Sequence, residues 1–335
     1  MSDISGDRYL QEHQAAIQDA AARIRPFVRR TPLLASDLDP RLRLKPECFQ
    51  PTGSFKVRGA FNAVLRLAAA PQPPAGVIAV SSGNHAQALA LAARSAGLPA
   101  LVLIPEDANP AKVAATRALG AEVMTSGITF ANREQRLREV AAERGYHVVH
   151  PFDDWDVIHG AGTAALEILE AEPQPALIVT PVGGGGLLTG TALAVKSIRP
   201  EVKVFAVEPE QAADAAATFK TRTVQTLPAS PTTLADGVRS VSVGQRTFEV
   251  MVEHGLVDGI VTVSEGEIAR ATVTAWERLK LAVEPTGALP LAGWLSGQLP
   301  AVDGPIVLLV SGGNADLGLV ARLLADAGGQ GRDDE

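Results

Sequence analysis

The sequence has one cysteine in 335 residues, Cys48. A single thiol excludes an internal disulfide and a cysteine metal cluster, and beside Phe49 it reads as a small buried hydrophobe. A basic excess is missing too: 30 Lys and Arg stand against 37 Asp and Glu, the formal charge is −7, and the isoelectric point is near 5.5. With the basic residues scattered, no field exists to attract nucleic acid or acidic lipid, so no nucleic-acid or membrane partner is expected. Residues 1–10 carry Asp3, Asp7 and Arg8 and lack the apolar centre of a signal peptide or anchor, which makes a cytoplasmic location the expectation. The uncharged run 176–195 is interrupted by Pro181 and by Gly183 to Gly186; it reads as a buried strand, turn and helix rather than a membrane span. The six histidines show no paired metal spacing, and no repeat or low-complexity segment is present.

What is there is a chain with 46% hydrophobic residues, long enough for a large core and two domains. Apolar spacing predicts a helix over 13–28, with Ala16, Ala20 and Ile24 on one face, then extended pieces at 30–33 and 41–45 and a helix over 60–70. The loop 71–76, rich in proline, opens a run of strands at 77–80, 100–104, 122–125 and 146–149, alternating with helices at 85–96, 110–119 and 130–144. Residues 151–154 form a second crossing, after which helices at 157–170 and 187–198 alternate with strands at 177–180 and 202–207. Ser264 and Glu267 form a capping box for a helix over 265–281, and a strand at 305–310 ends the sheet. Such alternation means an α/β protein with parallel sheets covered by helices on both faces. The expected division is a large domain from 1–70 and 151–335 and a small mobile domain from 71–150. The glycine-rich tail 328–335 is expected to fray.

The stretch Pro51-Thr52-Gly53-Ser54-Phe55-Lys56-Val57-Arg58-Gly59-Ala60 sets a lysine between an aromatic and a β-branched residue. A partly desolvated amine has a lowered pKa, and a neutral amine can attack an aldehyde to make an imine. Two strand-to-helix turns are rich in small residues: Ser81-Ser82-Gly83-Asn84-His85 and Gly183-Gly184-Gly185-Gly186-Leu187. Free backbone N–H groups at such turns hold anions. The tetraglycine is not a dinucleotide fingerprint, because neither register from Gly183 or Gly184 ends on glycine, and no lysine follows Gly190 as a nucleotide phosphate loop requires. Ser311-Gly312-Gly313-Asn314 puts a hydroxyl at a strand end. Lysine, anion cradle and polar strand end together suggest pyridoxal phosphate.

With Glu284-Pro285-Thr286-Gly287, these motifs make five in order, and the set resembles the serine/threonine dehydratase and serine racemase family of fold-type II pyridoxal phosphate enzymes, over about residues 30–317. The resemblance implies the tryptophan synthase β-like fold, two open parallel-sheet domains with the cofactor between them, and all five motifs at strand ends or adjoining turns. It implies that Lys56 carries pyridoxal 5'-phosphate and removes the α-proton, with Phe55 against it. Gly183, Gly184, Gly185, Gly186 and Leu187 would bind the phosphate, Asn84 the phenolic oxygen and Ser311 the pyridine nitrogen, with Gly237 and Glu284 completing the cofactor set. Ser81, Ser82, Asn84, His85, Arg133 and Ser240 would line the substrate site. Glu208, the Ala212 carbonyl and Asp214 match a divalent-cation site whose oxygen ligands suit Mg2+ or Ca2+. One departure is His159-Gly160-Ala161-Gly162-Thr163, a turn on the hinge side where relatives have Ala-Gly-Gln-Gly-Thr.

The implied activity is an L-threonine/L-serine ammonia-lyase giving a 2-oxo acid and ammonia, with the cofactor phosphate as the acid for the departing hydroxide. A serine hydroxyl cannot hold the pyridine nitrogen protonated as a carboxylate does, so a long-lived carbanion is disfavoured and β-elimination suits the site. The alternatives are a serine racemase and a threo-3-hydroxyaspartate ammonia-lyase. Ser82 points to the racemase, whose members carry serine where threonine dehydratases carry alanine, although the same hydroxyl can serve as a helix cap. Arg133 can grip a second carboxylate as a fork or lie on a solvated helix face. From another class comes a cofactor-binding paralogue without turnover, against which Lys56, Ser82 and Asn84 all count. The family is usually dimeric or tetrameric, so a homodimer or homotetramer acting on a small amino acid is expected. No C-terminal effector domain, and hence no feedback by isoleucine, is expected.

Overall fold

The computed structural model describes residues 4–330 apart from 107, 109 and 130. The chain begins with helix α1 (Ile4–Ile24), strands β1 (Leu34–Ala35) and β2 (Leu42–Pro46), and helix α2 (Lys56–Ala68). Strands β3 (Gly76–Val80), β4 (Ala100–Leu103), β5 (Glu122–Met124) and β6 (Tyr146–Val148) then alternate with α3 (Asn84–Ala96), α4 (Pro110–Ala118) and α5 (Arg133–Arg144). They form a wholly parallel sheet in the order β5-β4-β3-β6.

The remaining elements are α6 (Trp155–Ala171), β7 (Leu177–Pro181), α7 (Gly186–Ile198), β8 (Lys203–Pro209), α8 (Asp214–Thr221), α9 (Gln245–Phe248), β9 (Gly259–Val263), α10 (Glu265–Glu277), α11 (Pro285–Leu295), β10 (Ile306–Val310) and α12 (Leu317–Gln330). The second sheet runs β1-β2-β10-β7-β8-β9, and only β1 is antiparallel to its neighbour. Parallel strands buried on both faces read as unbroken apolar runs, which is why Leu101, Val102 and Leu103 or Leu177, Ile178 and Val179 lie wholly inside. One core of the large sheet gathers Ile158, Leu188, Leu193 and Val307 under α6 and α7. Its other face packs Leu44, Val179, Leu289 and Leu308 under α10 and α11. The small sheet is covered by Phe61, Ala86 and Leu89 on one face and by Leu137 and Val140 on the other.

Several elements differ from the sequence expectation. The strand expected to end the sheet, β10, is the last in the chain but lies between β2 and β7, with all five of its residues apolar and buried. Helix α1 stops at Ile24, short of 28, since the residue before Pro26 is disfavoured in helical geometry. Helix α2 starts at Lys56 rather than 60, which places the lysine in the first turn. The 159–163 segment is the buried middle of α6, not a turn. Its glycines are there for close approach: a Cβ on Gly160 would lie 2.5 Å from the Arg58 oxygen, and one on Gly162 2.7 Å from the Gly190 oxygen.

Strand β9 and helix α11, which contains Pro290, are not among the expected elements. The Glu284-Pro285-Thr286-Gly287 motif opens α11 rather than following a strand. The Ser264 and Glu267 capping box is present with both reciprocal bonds, though α10 ends at Glu277 instead of 281. Helix α12 runs to Gln330, into the first residues of the expected tail. The rest of the expected tail, and residue 130 of the expected fifth helix, lie outside the described residues.

Candidate active site

Lys56 is held by the joint between its own helix and the end of β10. Ser54 and Gly312 form an isolated antiparallel bridge, and the Phe55 N–H donates to the Ser311 carbonyl at 2.9 Å. The side chain is half-buried, and its Nζ donates to the Pro151 carbonyl at 2.6 Å and stands 5.1 Å from the Phe55 ring centre. Burial pushes the amine pKa down to about 8. A substantial neutral fraction therefore exists near neutral pH, as a nucleophilic or basic amine requires.

Facing it is the turn from β7 into α7. Gly185 caps α7 with φ of +95°, and no side chain caps the helix, so its first N–H groups are left for an anion. A side chain on Gly184 would overlap the Phe152 ring, and one on Gly185 would run into Thr247. The loop is anchored from behind, because the Gly244 N–H and the Thr247 hydroxyl both donate to the Gly184 carbonyl at 3.0 Å. Phe55, Lys56, Phe152, Gly183 to Leu187, Gly237, Val238 and Ser240 line one cavity of about 60 Å³. Bare amides, positive φ and a side-chain-free floor fit the phosphate of pyridoxal phosphate.

Asn84 opens α3 and reaches across to the large sheet. Its Nδ2 donates to Glu284 Oε1 at 2.8 Å, and its Oδ1 accepts from Asn314 Nδ2 at 2.7 Å. Burial pushes Glu284 up to about 7, with the charge of Asp236 adding to it and the Asn84 bond opposing. Ser311 is buried at the end of β10.

The Ser81 hydroxyl accepts from the Gly83 N–H at 3.2 Å. Gly83 is the cap residue of α3 and no side chain caps that helix, so the half-buried Ser82 hydroxyl is not a helix cap. His85 is buried with Nε2 3.0 Å from the Val149 carbonyl, and burial, reinforced by the Lys56 charge, pushes its pKa down to about 3. The ring is neutral and offers no charge to a carboxylate. Arg133 opens α5 at 3.7 Å from Glu134 and is not among the residues lining the cavity, whereas Ser240 is.

At the end of β8, buried Glu208 accepts from the N–H groups of Ala215 at 3.3 Å and Ala216 at 2.6 Å. Asp214 is buried, and both its carboxylate oxygens lack a hydrogen-bond partner among the described residues. Burial pushes Asp214 up to about 7 and Glu208 up to about 8. The described residues contain no cluster of three or more His, Cys, Asp or Glu suited to a metal, so a cation here would rest on two carboxylates and carbonyl oxygen. Buried oxygens left unpaired fit a hard cation.

Sequence reasoning missed Phe152, Thr247 and the part played by Asn314. Asn314 closed a quoted motif, and Phe152 stood in the linker read only as a crossing. Thr247 is distant from the glycines in sequence and had no local signal.

A lysine with a lowered pKa and a glycine cradle in one cavity, at the C-terminal ends of parallel strands, define a fold-type II pyridoxal phosphate enzyme. The chain belongs to the family described as pyridoxal-phosphate dependent enzyme, whose model matches residues 24–312. It is 41% identical to the L-threo-3-hydroxyaspartate ammonia-lyase of Saccharomyces cerevisiae over 92% of this chain and 95% of that protein. It is 42% identical to the serine racemase of Arabidopsis thaliana over 90% of this chain and 93% of the relative. Among solved structures, the threonine deaminase of T.th. superposes with a TM-score of 0.84 at 48% identity, covering 90% of this chain and 98% of that one. Among the described residues no helix is long and apolar enough to cross a membrane.

Proposed function

We propose that the protein is an ammonia-lyase that converts L-threonine and L-serine to 2-oxo acids and ammonia by α,β-elimination. The observation that carries this reading is that the strand end bonded to Phe55, next to Lys56, bears the Ser311 hydroxyl, while the nearby carboxyl of Glu284 is spent on Asn84 and titrates near 7. Pyridoxal phosphate, when bound, supplies the electron sink that acidifies Cα. Lys56 takes the α-proton. Backbone N–H groups of Gly183 to Leu187 hold the phosphate, and the Asn84 amide, fixed by Glu284 and Asn314, orients the ring. Without a full negative charge at the pyridine end, prompt loss of the β-hydroxyl is favoured over long storage of a carbanion.

In this reading residues 1–70 and 151–335 form the large domain, 71–150 the small one that moves, and the working unit is a homodimer or homotetramer. The test is a panel of L-threonine, L-serine, D-serine and both threo-3-hydroxyaspartates, assayed for oxo acid and for chirality. Exclusive turnover of a 3-hydroxyaspartate would reassign the substrate and give Arg133 the second carboxylate. No turnover of any would mean a paralogue that only binds the cofactor.

Ser82 favours a second reading, serine racemisation, because its hydroxyl is free of the helix cap and an acid opposite the Lys56 base is what inversion requires. Ser82→Ala is expected to abolish L-to-D serine conversion and slow D-serine elimination, while L-threonine elimination changes by less than roughly tenfold. Equal loss of L-threonine and D-serine elimination would show that Ser82 only shapes its loop.

Glu208, the Ala212 carbonyl and Asp214 form the proposed Mg2+ or Ca2+ site. Both carboxyl groups have folded pKa values raised above the unfolded carboxylate range, so their contribution is fully present below about pH 4 and is lost as pH rises through about 7 and 8. In chelator, the melting temperature is expected to fall from about pH 4 and to level off by about pH 8, while the rise on adding Mg2+ grows as the folded carboxyls ionise through about 7 and 8. Asp214→Asn should remove that cation response. The same response in wild type and variant would make these carboxylates merely buried acids.

A further inference from the structure

His150 follows β6 and opens the crossing back to the large sheet. Its Nδ1 lies 2.9 Å from the Asp153 N–H and 3.4 Å from the Phe152 N–H. Both neighbours are donors, so Nδ1 carries no proton and the ring is the Nε2–H tautomer. The ring meets Phe152 edge-on, with centres 4.6 Å apart.

Each residue of the turn so pinned does something at the site. The Pro151 carbonyl accepts the Lys56 amine at 2.6 Å. The Phe152 ring fills the space a side chain on Gly184 would need. Asp153 Oδ1 accepts from the Arg246 N–H at 3.0 Å, in the segment whose Gly244 anchors the glycine loop.

We propose that His150 is a positioning residue for Lys56: as a neutral imidazole it accepts the backbone N–H groups of the turn and so fixes the Pro151 carbonyl that holds the lysine amine. This rests on the reading of Lys56 as the lysine that carries the cofactor. His150 acts through that carbonyl and touches no reacting atom.

Burial keeps the ring neutral against most of the surrounding charges. Asp153 and Asp154 of the turn and Glu134 of α5 favour its protonation; burial, the largest influence, and Lys56 of α2 oppose it, and its pKa is lowered. His85 of α3 feels its charge in turn. A proton on Nδ1 would replace an acceptor with a donor facing two N–H groups, which is why an imidazole that stays neutral suits the place.

The experiment compares wild type, His150→Asn, which keeps an acceptor but does not titrate, and His150→Leu, which has none. Reductive methylation of the cofactor-free protein across pH, read at Lys56 by peptide mass spectrometry, gives the amine pKa without any activity assay. In His150→Leu this pKa is expected to fall by more than about half a unit, as the amine loses its fixed acceptor. In the loaded enzyme kcat should drop about tenfold with KM within about threefold. His150→Asn should restore both to within about threefold.

An unchanged Lys56 titration in His150→Leu, or equal impairment of the Leu and Asn variants, overturns the proposal. So does a proton on Nδ1 in the 15N spectrum of histidine-labelled wild type, a measurement that stands even if the Leu variant does not fold. Failure of the lyase reading itself would show in the substrate panel and leave the Lys56 titration readable.

Discussion

Lys56→Ala is expected to lower ammonia release from L-threonine by about ten-thousandfold or more, the upper end of what a proton-transfer group contributes, because in the proposed reading the same amine also holds the cofactor. Among the described residues lining the cavity, Lys56 supplies the one amine. Its pKa of about 8 gives it a role that no neighbour can take over: His85 is neutral and bonded to Val149, and Asn84 does not titrate. The loss should appear together with loss of the visible absorbance of lysine-bound pyridoxal phosphate, and the melting temperature of the cofactor-free protein should stay close to wild type. Retained turnover in this variant would overturn the site assignment at its root.

The second large effect is expected from Gly185→Ala. The residue sits at φ of +95°, where any Cβ is strained, and the added methyl would run into Thr247, which also anchors the loop through the Gly184 carbonyl. The loop must then shift, and the amides proposed to hold the phosphate lose their common focus. Affinity for pyridoxal phosphate should fall about hundredfold, a change of about 3 kcal/mol, measured by absorbance titration of the cofactor-free protein. A thermal melt separates this from unfolding, since the strained backbone alone costs about 1–2 kcal/mol. Wild-type affinity in Gly185→Ala would mean that the glycine turn is not the phosphate cradle.

The elements most legible in the sequence are those set by interactions between near neighbours. The apolar runs of β3, β4, β7 and β10, the small-residue turns after β3 and β7, and the capping box at Ser264 all arise from bonds and burial within a few residues. The lysine in its wall of Phe55 and Val57 belongs with them, because its desolvation begins with its sequence neighbours.

What only the tertiary structure decided depends on partners far apart along the chain. No local pattern says that β10 pairs with both β2 and β7, since every buried parallel strand presents the same apolar run. The same holds for Asn314 fixing the Asn84 amide and for Thr247 holding Gly184. It holds for Gly160 in α6, read as part of a turn and found where the backbone of α2 passes too close for any side chain. Their residue types are ordinary, and their meaning comes from what the closed chain puts beside them. The Pro151 carbonyl is the extreme case, because every residue has such a group, and only the fold brings this one to the lysine.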